Sequence, residues 1–139
     1  MFVVDTSALV AIAFSEPERD DFVQVIQRAG KALICTVSAL EARMVVHGRR
    51  GQRAVVLVDD FLRLPEFELV APGVAEMDAA YAAFVAFGKG SGHPAALNFG
   101  DVFSYALAKV RALPLLFKGD DFAQTDVASA MAMHRVRDV

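Results

Sequence analysis

Short, dense apolar runs alternate along this chain with longer stretches in which apolar residues recur every three or four positions. The runs are Phe2-Val3-Val4, Ala32-Leu33-Ile34-Cys35, Phe67-Glu68-Leu69-Val70 and Leu115-Leu116-Phe117, with a further candidate from Met133 to Val136. The first two predict buried strands, Phe67 to Val70 a short third strand closed by Pro72-Gly73, Leu115 to Phe117 a fourth, and Met133 to Val136 a fifth. The periodic stretches predict helices. Thr6 or Ser7 caps the first, Ala8 to Ala13. The second opens near Pro17 with acids where the dipole favours them, carries Phe22, Val25, Ile26 and Ala29 on one face, and stops at Gly30. A third begins at Ser38, with capping-box spacing to Glu41, and runs to about Gly48 or Gly51. A fourth covers about Arg53 to Arg63 and ends before Pro65, and a fifth, alanine-rich, covers Ala75 to Phe87. Asn98 caps a sixth that reaches Arg111, after the loop Gly88-Lys89-Gly90-Ser91-Gly92-His93-Pro94, which is dense in residues that forbid helix.

Strands alternating with helices predict parallel βαβ units, here around a central parallel sheet of four to five strands. No linker, internal repeat or low-complexity tract divides the 139 residues, so a single domain over 1–139 is expected. Such a chain can bury a core without disulfides, and its one cysteine, Cys35, has no partner. The apolar share is high, at 55%. No run approaches the roughly 20 residues that span a bilayer, and Asp5 interrupts the N-terminal segment too early for a secretory signal. The surplus is assigned to the buried sheet and to a protein-protein interface, with Ala80, Ala83, Phe84 and Phe87 as candidates for a dimer seam or partner groove. No membrane association and a cytoplasmic location are expected.

The net charge of −3 argues against a protein that coats nucleic acid electrostatically. Yet Arg43, His47, Arg49, Arg50 and Arg53 crowd one stretch, and Lys89 and His93 share the glycine-rich loop. They are either a local basic rim or cations solvating a helix end.

The acids carry the chemistry. In open parallel sheets, ligands bind beyond the carboxyl ends of the strands. Asp5 ends the first run, Glu41 follows the second by a short turn, Asp101 opens the helix after Asn98, and Asp120 and Asp121 follow the last run. Each has a local explanation: Asp5 an N-cap, Glu41 and Asp101 the third position of a capping box, and Gly119-Asp120-Asp121 a turn. Separate capping events would not need to converge on one crevice. Carboxylates that do converge raise one another's pKa values unless a cation joins them. An all-oxygen set favours Mg²⁺, with Mn²⁺ as substitute, over zinc. The three histidines lack i, i+4 pairing, the glycine-rich loop lacks the Walker spacing, and no Gly-x-Ser-x-Gly elbow is present.

Val4-Asp5-Thr6-Ser7-Ala8, Ser38-x-x-Glu41, Gly92 to Asp101 and Lys118-Gly119-Asp120-Asp121-Phe122 with Phe122 to Asp126 resemble the PIN-domain ribonucleases, and more narrowly the VapC toxins of type II toxin–antitoxin pairs. The resemblance covers essentially the whole chain and implies a three-layer α/β/α PIN-like domain. It implies an endoribonuclease with Asp5, Glu41 and Asp101 as three metal-site acids. Asp121 is favoured as the fourth and Asp120 is runner-up, because the family's spaced acids are replaced here by Gly119-Asp120-Asp121. Asp5 and Asp101 are expected to hold the ion directly, with Thr6, Ser7 and Asp126 as possible support. Arg43, Arg49, Arg50 and Lys89 are the candidate RNA-backbone contacts. The resemblance also implies a homodimer and a cognate VapB antitoxin that blocks the cleft in a hetero-oligomer. The alternatives are a catalytically silent metal- or partner-binding module and a phosphoacceptor receiver domain.

Overall fold

In the computed structural model, which describes residues 1–137, β1 (Phe2–Val4), β2 (Ala32–Cys35), β3 (Phe67–Val70) and β4 (Leu115–Leu116) pair in parallel in the order β3-β2-β1-β4. Val3 stands opposite both Leu33 and Leu115, so one apolar row crosses the centre of the sheet. Successive side chains alternate between faces. Phe2, Val4, Ala32, Ile34 and Leu116 point into one core, and Val3, Leu33, Cys35 and Leu115 into the other. Both faces of β1, β2 and β4 are thus buried, which accounts for runs that are apolar throughout, whereas β3, at the edge, is half exposed and carries Glu68.

The helices are α1 (Thr6–Ala13), α2 (Arg19–Ala29), α3 (Thr36–Arg50), α4 (Val55–Leu62), α5 (Val74–Phe87), α6 (Phe99–Arg111) and α7 (Ala130–Arg137). The first core packs α1 to α4 and α7 against the sheet, and the second packs α5 and α6. The result is the three-layer α/β/α architecture expected. The strand order differs from the 2-1-3-4-5 arrangement of receiver domains, which removes that alternative.

Several expectations require correction. No fifth strand forms at Met133 to Val136, which lies within α7. Ser129 accepts the Ala132 N–H at 3.2 Å, and Ala130 and Met131 pack on the first core, so capping and burial select helix for a run too short to show its own period. Phe117 lies beyond β4. Asp5, rather than Thr6 or Ser7, caps α1. α3 begins at Thr36, two residues before Ser38, so Glu41 stands in the second turn and has no capping role. Ala80 and Ala83 are core residues under α5, whereas Phe84 is half exposed. Among the described residues, no helix is long and apolar enough to cross a membrane.

Candidate active site

The strand order reverses between β1 and β4, and such a reversal leaves a crevice above the carboxyl ends of the two strands. A cleft of about 520 Å³ opens there, lined by Asp5, Glu16, Glu41, Arg49, Asp101 and Lys118, with Thr6, Ser7, Asn98 and Gly119 between them. Asp5, Glu41 and Asp101 therefore share one hollow, although they come from the turn after β1, from α3 and from α6.

Asp5 is 2% exposed. Its Oδ2 accepts the Ser7 N–H at 2.9 Å, while its Oδ1 is buried without a hydrogen-bond partner. A buried carboxylate oxygen left unpaired is costly and calls for a cationic or donor partner. Small hydroxyls fix the elements around it. Thr6 Oγ1 donates to the Ser38 carbonyl at 3.2 Å, the Ser38 and Ser104 hydroxyls pair at 2.9 Å across α3 and α6, and the Lys118 N–H donates to Ser7 Oγ at 3.0 Å. Thr6 and Ser7 thus brace the chain segments that carry the acids.

Asp101 and Asn98 form a reciprocal capping box: the Asp101 carboxylate accepts the Asn98 N–H at 2.9 Å, and the Asn98 amide oxygen accepts the Asp101 N–H at 2.8 Å. Burial pushes the Asp101 carboxyl up to about 6. The Asn98 N–H opposes that rise, and the charges of Asp5, Glu41 and Asp121 add to it. The capping role expected for Asp101 is real, and the carboxyl nevertheless feels the other three acids. Asp121 reaches the site only through this field; it is exposed and precedes the short 3-10 turn Phe122–Gln124. Asp120 is exposed beside it.

Asp126 does not line the cleft. Its carboxylate accepts the Tyr105 hydroxyl and lies 3.0 Å from Lys109 Nζ, both on α6. Those bonds hold the Asp126 carboxyl below its usual range, the Tyr105 contact contributing most, while burial pushes the Tyr105 hydroxyl up. Tyr105→Phe is expected to cost about 1–2 kcal/mol of stability, read by denaturant unfolding, and to leave activity per folded molecule intact. Because the Asp126 pKa is depressed, its share of stability is present above the unfolded carboxyl value and is lost as pH falls through the folded one.

The basic candidates do not form one patch. Arg49 lines the cleft, and Arg49 and Arg50 lie over the Phe14 ring at 5.6 and 4.7 Å. Arg43 instead pairs with Asp59 at 2.6 Å and borders a separate hollow with Met44 and His47. Lys89 lies on the rim of an apolar groove between α5 and α6. Lys118 and Glu16 were not singled out from the sequence, and they face each other across the cleft wall at 2.5 Å, with Glu18 at 3.2 Å from the same ammonium. Lys118 adjoins the acids of Gly119-Asp120-Asp121, and that adjacency is the one signal in the sequence for its place beside the cleft; nothing in the spacing of Glu16 indicates a place there.

Among the described residues, no three acid, histidine or cysteine side chains stand in a ready-made metal-ligating arrangement. The donor set still suits a hard cation that keeps most of its own water. It is made of carboxylate oxygens, one of them buried and unpaired, and burial, with the neighbouring acid charges adding to it, raises the Asp101 carboxyl to about 6.

A parallel sheet in this order, with acids gathered at its switch point, is the frame of a PIN domain. The PIN-domain family model matches residues 2–128, and the chain belongs to that family. The chain is 43% identical over 127 residues to VapC ribonuclease Mb0640 of Mycobacterium bovis, covering 91% of this chain and 96% of the relative. It is also 43% identical to a Ribonuclease VapC of Mycolicibacterium smegmatis, over 91% of this chain and 98% of the relative. Within the PIN domains it is therefore a member of the VapC ribonucleases. Two solved structures share the fold: Mycobacterium tuberculosis VapC20, a Sarcin-Ricin loop cleaving toxin, with TM-score 0.74, 14% identity and coverage of 92% and 97%, and Rickettsia felis VapBC2 bound to a promoter DNA fragment, with TM-score 0.73, 12% identity and coverage of 92% and 95%.

Proposed function

We propose that this chain is a Mg²⁺-dependent endoribonuclease, the toxin of a VapBC pair, which hydrolyses RNA phosphodiester bonds. The observation that carries the reading is the unpaired, buried oxygen of Asp5 in a cleft shared with Glu41 and Asp101. Such a group has no use in a purely structural cap. The names of the relatives support ribonuclease activity, and the VapBC2 complex supports a VapB-type antitoxin.

In this reading Asp5 and Asp101 would hold the ion, with Glu41 and Asp121, or Asp120 in its place, completing the shell or binding through water. Magnesium retains several waters, so two direct carboxylates suffice. When bound, the ion supplies a more acidic water and neutralises charge on the phosphate. The remaining work belongs to the chain. Ser7 and Thr6 hold the β1 exit against β4 and α3, so Asp5 keeps its position. Asp101 would have to be ionised to hold a cation, so cation affinity is expected to fall as pH drops below about 6. Arg49 offers a guanidinium to the RNA backbone from the cleft wall, with Arg50 beside it. A second copy and the antitoxin have apolar surfaces available, among them the α5–α6 groove with exposed Tyr81, Phe84 and Phe99.

The test is cleavage of structured RNA by purified chain with Mg²⁺, with Mn²⁺ and with excess EDTA. Metal-dependent internal cleavage supports the reading. Tight Mn²⁺ binding without cleavage of any RNA favours the silent module. For the rim, the double variant Arg49→Ala with Arg50→Ala is expected to weaken RNA binding and flatten its salt dependence by about one unit of slope per lost phosphate contact. An unchanged slope returns both arginines to the solvated surface of α3.

A further inference from the structure

We propose that Gly100 is a positioning residue for Glu41: the missing side chain at the second residue of α6 is what lets the Glu41 carboxylate lie against that helix beside Asp101. The inference deepens the nuclease reading and rests on it for its activity arm. A Cβ built on Gly100 would stand 2.1 Å from Glu41 Oε2, 2.6 Å from Oε1 and 2.5 Å from the carboxyl carbon. All three nearest atoms belong to this one carboxylate.

The usual reasons for glycine do not apply at this position. Gly100 is absent from the positive-φ glycines, which are Gly30, Gly51, Gly90, Gly92 and Gly119. Its backbone is therefore open to any residue, and within a helix glycine is a poor choice, by up to about 1 kcal/mol against alanine. The chain nevertheless places glycine in the first turn of α6, one residue before Asp101. What a side chain would displace is the end of Glu41. Gly88 shows the contrast, because a Cβ there would meet the Phe84 carbonyl oxygen at 2.4 Å, which is backbone and cannot move aside cheaply. At Gly100 the obstacle is the tip of a flexible side chain, so the fold can absorb a methyl group and the carboxylate cannot stay.

Ordinary contact begins at 3.4 Å, so Oε2 has to retreat by more than an ångström. The Glu41 charge then leaves the helix start, where backbone N–H groups favour it, and its distance to Asp101 changes. A displacement of this size at a reacting centre costs up to about 10²-fold in rate.

The experiment compares the parent, G100A, E41D and the double variant by melting temperature, Mn²⁺ binding isotherm and steady-state RNA cleavage, with G88A as a control for the fold. G100A is expected to melt at or above the parent temperature, to bind Mn²⁺ roughly tenfold more weakly, and to lose about thirty- to hundredfold in kcat with KM little changed. Shortening Glu41 to aspartate withdraws the carboxylate from the new methyl, so E41D should cost far less in the G100A background than in the parent, a strong non-additivity. G88A is expected to melt lower. Parent-like cleavage and Mn²⁺ affinity in G100A overturn the proposal, as do additive losses in the cycle or a melting point that falls with the activity. If the parent binds Mn²⁺ but cleaves no RNA, the nuclease reading fails and the isotherms of the four proteins still decide the role of Gly100. A parent that does neither removes both.

Discussion

Asp101→Asn is expected to reduce Mg²⁺-dependent RNA cleavage by about 10³-fold or more while raising the melting temperature of the metal-free protein by a few degrees. The loss follows because the amide keeps the shape and the cap acceptor of the carboxylate but removes a charge that a cation needs, and such electrostatic contributions amount to several kcal/mol. The gain follows from the direction of the Asp101 shift. Its folded value of about 6 lies above the ordinary 3.8, so the folded state holds the proton more tightly than the unfolded one. The stabilisation this supplies is complete below the unfolded value and disappears as pH rises through about 6. Above that pH the ionised carboxyl opposes folding, by about 1–2 kcal/mol once its partial exposure is allowed for, and a neutral amide relieves it. The metal-free parent should therefore gain stability between pH 7 and pH 5 from this residue, and the variant should lack that gain. A variant that melts lower than the parent at pH 7.5, or cleaves at more than a tenth of its rate, contradicts the placement of Asp101 among the other acids.

Asp5→Asn is expected to lose activity on the same scale and to weaken Mn²⁺ binding by at least tenfold. Asparagine caps a helix as well as aspartate does, so the bond to the Ser7 N–H survives. What disappears is the charge on a carboxylate whose other oxygen is buried without a partner. Folding stability should hold or rise, since the unsatisfied charge is a cost in the metal-free state. Asp5→Ala separates the two roles: it removes the cap as well, which costs about 1 kcal/mol against the relief from the lost charge. A destabilised D5N that retains cleavage would show Asp5 to be a cap and nothing more.

Both carboxylates illustrate how far the sequence can be read. Phe2 to Val4, Ala32 to Cys35 and Leu115-Leu116 are legible as strands because a sheet buried on both faces leaves them little polarity, whereas Phe67 to Val70, at the half-exposed edge, is legible from its brevity and the Pro-Gly stop after it. Their parallel order followed from the helices between them, and the crevice at the carboxyl ends followed from that order. Met133 to Val136 is ambiguous because a four-residue stretch, with His134 and Arg135 inside it, carries no decisive period, and the Ser129 cap lies just upstream of it. The local pattern at Glu41 is misleading, since Ser38-x-x-Glu41 has the spacing of a cap, yet the helix opens at Thr36 and turns Ser38 inward to Ser104. That turn frees Glu41 from a structural duty and leaves it in the cleft.

Other features had no local signal at all. The pairing of Lys118 with Glu16 joins residues 102 positions apart, and the contact of Glu41 with Gly100 joins two helices. Spacing along a chain cannot report either. The basic stretch looked continuous because Arg43, Arg49 and Arg50 are close in sequence, but helical rotation carries Arg43 to Asp59 and leaves Arg49 at the cleft.

The proposed site, which cleaves RNA, joins carboxylates from the turn after β1, from α3 and from α6 around one divalent cation. The most direct measurement is internal cleavage of RNA by the EDTA-stripped chain as Mg²⁺ is titrated back, with D101N prepared and assayed in parallel. Such a site predicts no cleavage in EDTA, a rate restored by added Mg²⁺ in the parent, and a flat line for D101N. Cleavage that persists in excess EDTA, or a D101N curve that superposes on the parent, contradicts it.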